Sequence, residues 1–210
     1  MKKTLVLIVL FILPLVAYLF FASGVNNFGR LPTLSEGVVE LPANAGNHAL
    51  KGNITVLGFL GEELETRKGN AFNLNQKIYK RFSGFKDFQF VMLVPKGTQE
   101  KVAALKKELG ELSDASKWHF VHADSSAIVA VFESLDSPVG LDADLGTSYV
   151  YIIDKDRNLR GRDDDIDDGV KFGFDSNSVA ELNNKMEDDV KIILAEYRLA
   201  LKQNNADRSK

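Results

Sequence analysis

The chain has no cysteine among its 210 residues. That absence excludes disulfides, thiolate nucleophiles, Cys-ligated zinc or copper and a lipid-modified N-terminal cysteine, whichever compartment the protein occupies. There is no excess of positive charge either. Lys and Arg total 26 against 29 Asp and Glu, for a formal net charge of -3, so no basic field exists to grip phosphates and nucleic acid is excluded as a partner. Proline is scarce, at five residues. The remaining composition, 45% hydrophobic and 26% charged, is that of one ordinary globular domain with an appendage.

The appendage is N-terminal. Residues 5–22 read LVLIVLFILPLVAYLFFA, an uncharged run directly after Lys2 and Lys3. As a helix it would be about 27 Å long, close to the roughly 30 Å hydrocarbon core of a bilayer. Pro14 is compatible with such a span. Two lysines on the short N-terminal side keep that end in the cytoplasm and place the rest on the outer, periplasmic face. The expectation is an uncleaved single-pass transmembrane anchor over 1–23. The alternative is a cleaved signal peptide ending near Ala22-Ser23-Gly24.

Residues 24–52 are rich in Gly, Asn and Pro and read as a tether. From 53 to 203 the pattern alternates. Continuous apolar runs at 54–60 (ITVLGFL) and 88–94 (FQFVMLV) suit strands buried on both faces. Between them, Leu74, Ile78 and Phe82 have helical spacing over 73–82. Thr98 is placed to cap a helix with Val102, Leu105 and Leu109 on one face and Gly110 at its end. WHFV at 118–121 is a third strand, and Asp124 is placed to cap a short helix carrying Ile128, Val131 and Phe132. Two further strands, 148–153 and 158–161, are joined by the polar turn 154–157 as a hairpin. Ser178 and Glu181 form a capping box that opens a helix to about Lys202, and 204–210 is expected to be a disordered tail. This order gives an α/β, thioredoxin-like three-layer sandwich with a central mixed sheet.

Several strings, in order, resemble the Sco/SenC family, membrane-anchored thioredoxin-fold factors involved in copper delivery to cytochrome c oxidase. They are Leu50-Lys51-Gly52-Asn53-Ile54-Thr55-Val56-Leu57-Gly58-Phe59 approaching the first core strand, Val94-Pro95 before the helix from Thr98, Trp118-His119-Phe120, and Tyr151-Ile-Ile-Asp154 through Leu159-Arg-Gly161. The resemblance covers roughly 31–162. It implies a copper site made by a Cys-x-x-x-Cys after the first core strand and a His before the closing hairpin. Here the first place reads Gly61-Glu62-Glu63-Leu64-Glu65-Thr66-Arg67-Lys68-Gly69, and Gly146 stands opposite the His when Tyr151-Ile-Ile is aligned. All three ligands are missing. Glu oxygens do not substitute for the soft thiolates that select Cu(I), and disulfide exchange needs a thiol.

Other residues offer alternatives. His119 and His122 are metal candidates, but side chains three apart on a strand face opposite ways, so one edge and one loop histidine is the plainer expectation, with His48 alone in the tether. Asp154-Lys-Asp156-Arg-Asn158 spaces oxygens like a calcium loop but has Leu159 where the sharp turn needs Gly, so a hairpin turn explains it better. Asp163, Asp164 and Asp165 open a run of five carboxylates in 163–168, read as a solvated loop, a weak cation site, or a docking surface for a basic partner. Glu62, Glu63 and Glu65 are read the same way, with Arg67 and Lys68 able to neutralise them locally. No acid/base constellation emerges. The sequence therefore points to a non-enzymatic, anchored Sco-like module without redox or thiolate copper chemistry and with no cofactor. It would act by binding respiratory oxidase subunits or other assembly factors. The competing reading is a metal carrier using His and Asp ligands.

Overall fold

In the computed structural model, residues 9–16, 18 and 29–208 are described. Residues 9–16 and 18 are helical and exposed, but no helix among the described residues is long and apolar enough to cross a membrane. The remainder of the 5–22 run lies outside them, and the expected span with it.

The folded part is built on the alternation read above. Strand β1 (Thr33–Ser35) is followed by a 3-10 turn (Ala43–Ala45) and β2 (Ile54–Leu60). Helix α1 begins at Leu64–Leu74, passes through a π-turn (Asn75–Tyr79) and ends with Lys80–Phe82. Then come β3 (Phe88–Pro95), α2 (Gln99–Leu112), β4 (Trp118–Ala123), α3 (Ser125–Glu133), β5 (Gly146–Ile153), β6 (Leu159–Arg160), β7 (Arg162–Asp165), β8 (Gly169–Lys171) and β9 (Phe174–Asp175). Helix α4 runs Val179–Glu181, a π-turn Leu182–Met186, and Glu187–Arg208. The large sheet has the order β1-β6-β5-β2-β3-β4, with β9 on β5, while β7 and β8 form a separate hairpin. β2, β3 and β4 are parallel, and β5 returns antiparallel against β2.

Two-residue alternation sorts the strand side chains onto two faces. Val56, Phe90, Met92, Trp118 and Ile152 meet α1, α2 and α4 on one side. Leu57, Phe59, Val91, Leu93, Val121 and Tyr151 meet α3 and residues 38–50 on the other. Because both faces are covered, every residue of β2 and β3 is buried, which is why those runs are almost wholly apolar, their two polar residues, Thr55 and Gln89, being bonded to each other. Each fully buried Leu, Ile or Phe contributes about 1.5–3 kcal/mol.

Several sequence expectations need correction. The described part of 24–52 is not a free tether: Leu31, Val38, Leu41 and Leu50 are buried, and the Glu40 carboxylate accepts the amides of Leu41, Leu50 and Lys51, pinning the segment. The stretch 61–69 is largely not a loop, because α1 starts at Leu64. Thr98 does not cap α2 with its side chain; its hydroxyl donates to the Pro95 carbonyl instead. Gly110 does not end that helix, which reaches Leu112. Residues 204–208, expected to be tail, continue α4. The Ser178 cap holds, since its hydroxyl accepts the Glu181 amide at 3.2 Å. Glu181 does not complete the box and accepts from the Asp175 amide. The 154–158 turn is the expected hairpin, with Asp154 Oδ1 accepting the amides of Asp156 and Asn158.

Candidate functional site

At the end of β2 the chain must leave the sheet and enter α1, and Gly61 makes that turn with φ +71°. A Cβ there would stand 2.5 Å from Asp144 Oδ2, so the close approach of the 142–146 loop requires glycine as much as the dihedral does. Across this junction Asp144 joins two segments. Its carbonyl accepts the Glu62 amide at 3.0 Å, and its carboxylate accepts the amides of Glu63 and Gly146, both at 3.3 Å.

Arg67 completes the junction from the first turn of α1. Its Nη1 donates to Asp144 Oδ2 at 2.6 Å and to the Leu60 carbonyl at 3.2 Å. Its Nη2 donates to Asp144 Oδ1 at 3.0 Å and Asp142 Oδ2 at 2.5 Å. The two-pronged contact with Asp144 is the strong form of an Arg–carboxylate pair. The Arg67 side chain is 11% exposed, Asp144 21% and Asp142 68%. Burial alone would raise the Asp144 pKa, but the Arg67 guanidinium and the two amides outweigh it and hold the carboxyl below its ordinary value. Burial likewise disfavours charge on Arg67, and the two carboxylates more than compensate.

Gly146 is part of the same construction, because a Cβ on it would collide with the Arg67 guanidinium. The two places where the resemblance leads one to look for thiols and an imidazole are thus joined by an ion cluster, and the glycine is the condition for it. Sequence reasoning assigned Arg67 to neighbouring glutamates and missed this pairing across 77 positions. The available signal was a glycine opposite the family's His together with an arginine in the first turn of the helix.

The solved structures that resemble the chain share this architecture. Two crystal structures from Aquifex aeolicus VF5 superpose with TM-scores of 0.52 and 0.50 at 18% identity, covering 78% of this chain and 98% and 97% of theirs. BsSco, described as a member of the Sco family of cytochrome c oxidase assembly proteins with a disulfide switch, superposes with a TM-score of 0.51 at 14% identity over 77% of this chain and 95% of its own. The fold is thioredoxin-like, and a Sco-family structure is among its neighbours. No protein-family model matches the chain, and no curated protein does. Against that fold this chain is a cysteine-less variant.

The other candidates separate. Glu62, Glu63 and Glu65 cluster at the mouth of the junction and are exposed. Their neutralising partners are not Arg67: Lys101 from α2 reaches the Glu62 carbonyl at 2.9 Å and Glu63 Oε1 at 3.4 Å, and Lys68 lies 3.9 Å from Glu65. The acidic run is not a solvated loop but the β7–β8 hairpin. Asp163 and Asp164 are exposed, Asp165 is buried, and Ile166 at the tip is fully exposed. No group of three or more His, Cys, Asp or Glu converges in a metal-holding arrangement among the described residues, so the structure does not bring His119 and His122 on β4 together with Asp163, Asp164 and Asp165 on β7.

The histidines correct the sequence reading in a different way. His122 lies within β4 rather than in a loop, and His48 is not alone, since its ring stacks on His119 with centroids 3.7 Å apart. Burial, helped by His48 and Lys106, lowers the His119 pKa to about 4. A histidine whose pKa is depressed on folding contributes stability above its unfolded value near 6.5, and that contribution is lost as pH falls through 4. Denaturant melts between pH 7.5 and 4 should therefore fall in midpoint, and His119→Gln should flatten the part of the curve between 6.5 and 4. Identical curves for the two proteins would refute the assignment.

Proposed function

We propose that this chain is a Sco-like binding module of cytochrome c oxidase assembly, anchored by its N-terminal apolar run and facing the outer side of the cytoplasmic membrane. It works without thiol redox chemistry and without a thiolate copper site. The observation that carries the reading is the Arg67–Asp144 pair seated over Gly146. It fills the junction where the resemblance puts a copper site, with groups that hold the scaffold closed and carry no soft ligand. A fold kept around a closed ion cluster is suited to docking, and binding residues concentrate on loops and turns held by a rigid frame. Glu62, Glu63 and Glu65 beside the cluster, and Asp163 and Asp164 on the hairpin, are the exposed charges available for it. The membrane assignment rests on Lys2, Lys3 and the uncharged run that follows. The oxidase assignment rests on the resemblance, with BsSco as a neighbour in fold.

The test places a photo-crosslinking residue at Glu65 and, separately, at Asp164, in full-length protein in native membranes. Capture of an oxidase subunit or of another oxidase-assembly protein is the expected result. Capture of neither, from membranes that contain the oxidase, overturns the reading.

A further inference from the structure

Beside the Arg67 cluster a groove of about 380 Å³ opens between α1 and the 139–149 stretch. Two of its features bear on what it can hold. Asn70 lines it, is only 5% exposed, and its carboxamide makes no hydrogen bond among the described residues. Its amide atoms are not sealed from solvent, so they face the groove and are open to a ligand with a matching polar group. The second feature is Asp142. One guanidinium is faced here by two carboxylates, and they are not equivalent. Asp144 is largely buried, makes the two-pronged contact and ties down two amides. Asp142 is 68% exposed, and its carboxylate has Arg67 as its one bonding partner among the described residues.

Asp142 therefore occupies, from the solvent side, an anion position at the charged end of the groove. We propose that the groove binds a peptide bearing a carboxylate, which takes the place of Asp142 on Arg67 while Asn70 bonds the peptide backbone. A carboxamide offers both a donor and an acceptor, the complement of a peptide group. The uncharged polar lining contributed by Thr147, Ser148, Tyr149 and Asn177 suits the same ligand. Arg67 is the one cation lining the groove, and Asp144 already balances it, which disfavours a multiply charged phosphate. A carboxylate that displaces Asp142 adds one negative charge to the site, the least an anion can add, and the displaced Asp142, 68% exposed, is screened by solvent.

This inference rests on reading the chain as a binding module and names the ligand of that site. The test uses the full-length, isotope-labelled chain in detergent micelles and follows its amide resonances on adding peptides at up to about 10 mM, a range that detects millimolar affinity. Acetyl-Gly-Ser-Gly carries a terminal carboxylate, acetyl-Gly-Asp-Gly-amide a side-chain carboxylate, and acetyl-Gly-Asn-Gly-amide neither. At least one of the first two should shift the amides of Asn70, Gly146 and Tyr149, and which one does identifies the source of the carboxylate. The neutral peptide should not. Asp142→Asn removes the internal competitor and should tighten binding about tenfold, the worth of one charge-assisted bond. Asn70→Ala should weaken binding by a similar factor without lowering the melting temperature. No shift from either acidic peptide, or equal affinity in Asp142→Asn, overturns the proposal. If the crosslinks to oxidase proteins persist while the peptides fail, the carboxylate site alone is rejected. If the peptides bind and the crosslinks are absent, the oxidase reading alone is rejected.

Discussion

Replacing Arg67 by methionine is expected to lower the melting temperature by roughly 5–15 °C. The change keeps most of the aliphatic volume, so the loss is electrostatic rather than a cavity. It leaves Asp144, 21% exposed, with the Glu63 and Gly146 amides and no cation, and it strips the Leu60 carbonyl of a donor. Breaking a buried pair by removing one member costs about 3–5 kcal/mol. Partial solvation of Asp144 reduces that here to about 2–4, and for a chain of this size each kcal/mol moves the melting temperature by about 2–4 °C. Asp142→Asn, which loses a partner that is 68% exposed, should cost less than about 1 kcal/mol. Adding Asp144→Asn to Arg67→Met should recover part of the loss, because the uncompensated carboxylate is then gone, and the non-additivity measures the pair itself. Calorimetric melts of the parent, Arg67→Met, Asp144→Asn, their double variant and Asp142→Asn decide the matter. An Arg67→Met melt coincident with the parent would mean that the cluster does not hold the 142–146 loop to α1, and the functional reading built on a closed junction would fall with it.

The contrast between what the sequence shows and what it hides follows from range. Strands β2 and β3 were legible because burial on both faces leaves their runs almost wholly apolar, broken only by Thr55 and Gln89, which bond each other at 2.9 Å. Helix α2 was legible through Val102, Leu105 and Leu109. The first turns of α1 were not, because the residues they bury are Leu64, Asn70, Ala71 and Leu74: one is polar and one small, and Gly69 sits among them. Once α1 is misread as a loop, Arg67 has no fixed direction, and its real partners at 142 and 144 cannot be found from local charge. The His48–His119 stack was hidden for the same reason, since 71 positions separate its members and nothing in 24–52 announces that the segment packs against β4. The 154–158 turn and the Ser178 cap were legible because their bonds close within a few residues. The candidate site was thus visible as an absence, three missing ligands, while the groups that fill it depended on contacts made by the fold.

The acidic run shows how identical residues in sequence part company in structure, and it carries the second large effect. Asp165→Asn is expected to cost about 1–3 kcal/mol and roughly 3–10 °C of melting temperature, whereas changing Asp163 and Asp164 together to Asn should stay within about 0.5 kcal/mol. The Asp165 side chain is 1% exposed. Its Oδ1 accepts Lys185 Nζ at 2.6 Å and the amides of Asp167 and Asp168 at 3.1 and 3.2 Å, and its Oδ2 accepts Arg162 Nη1 at 3.4 Å. Burial would raise its pKa, but Lys185 and the two amides outweigh burial and bring it down to about 2. Arg162 in turn grips Asp189 on α4 with Nε and Nη2 at 2.8–3.1 Å, so Asp165 fastens the hairpin to the helix. Asn keeps the shape yet turns one acceptor into a donor facing cations. Because the folded pKa is depressed, the stabilisation is complete above the unfolded value near 4 and disappears as pH falls through 2. The stability gap between parent and Asp165→Asn should accordingly be constant from pH 7 to 5 and close as pH approaches 2. A gap that persisted at pH 2 would mean that shape rather than charge fixes the hairpin. No gap at pH 7 would return Asp165 to the solvated acidic run that the sequence suggests.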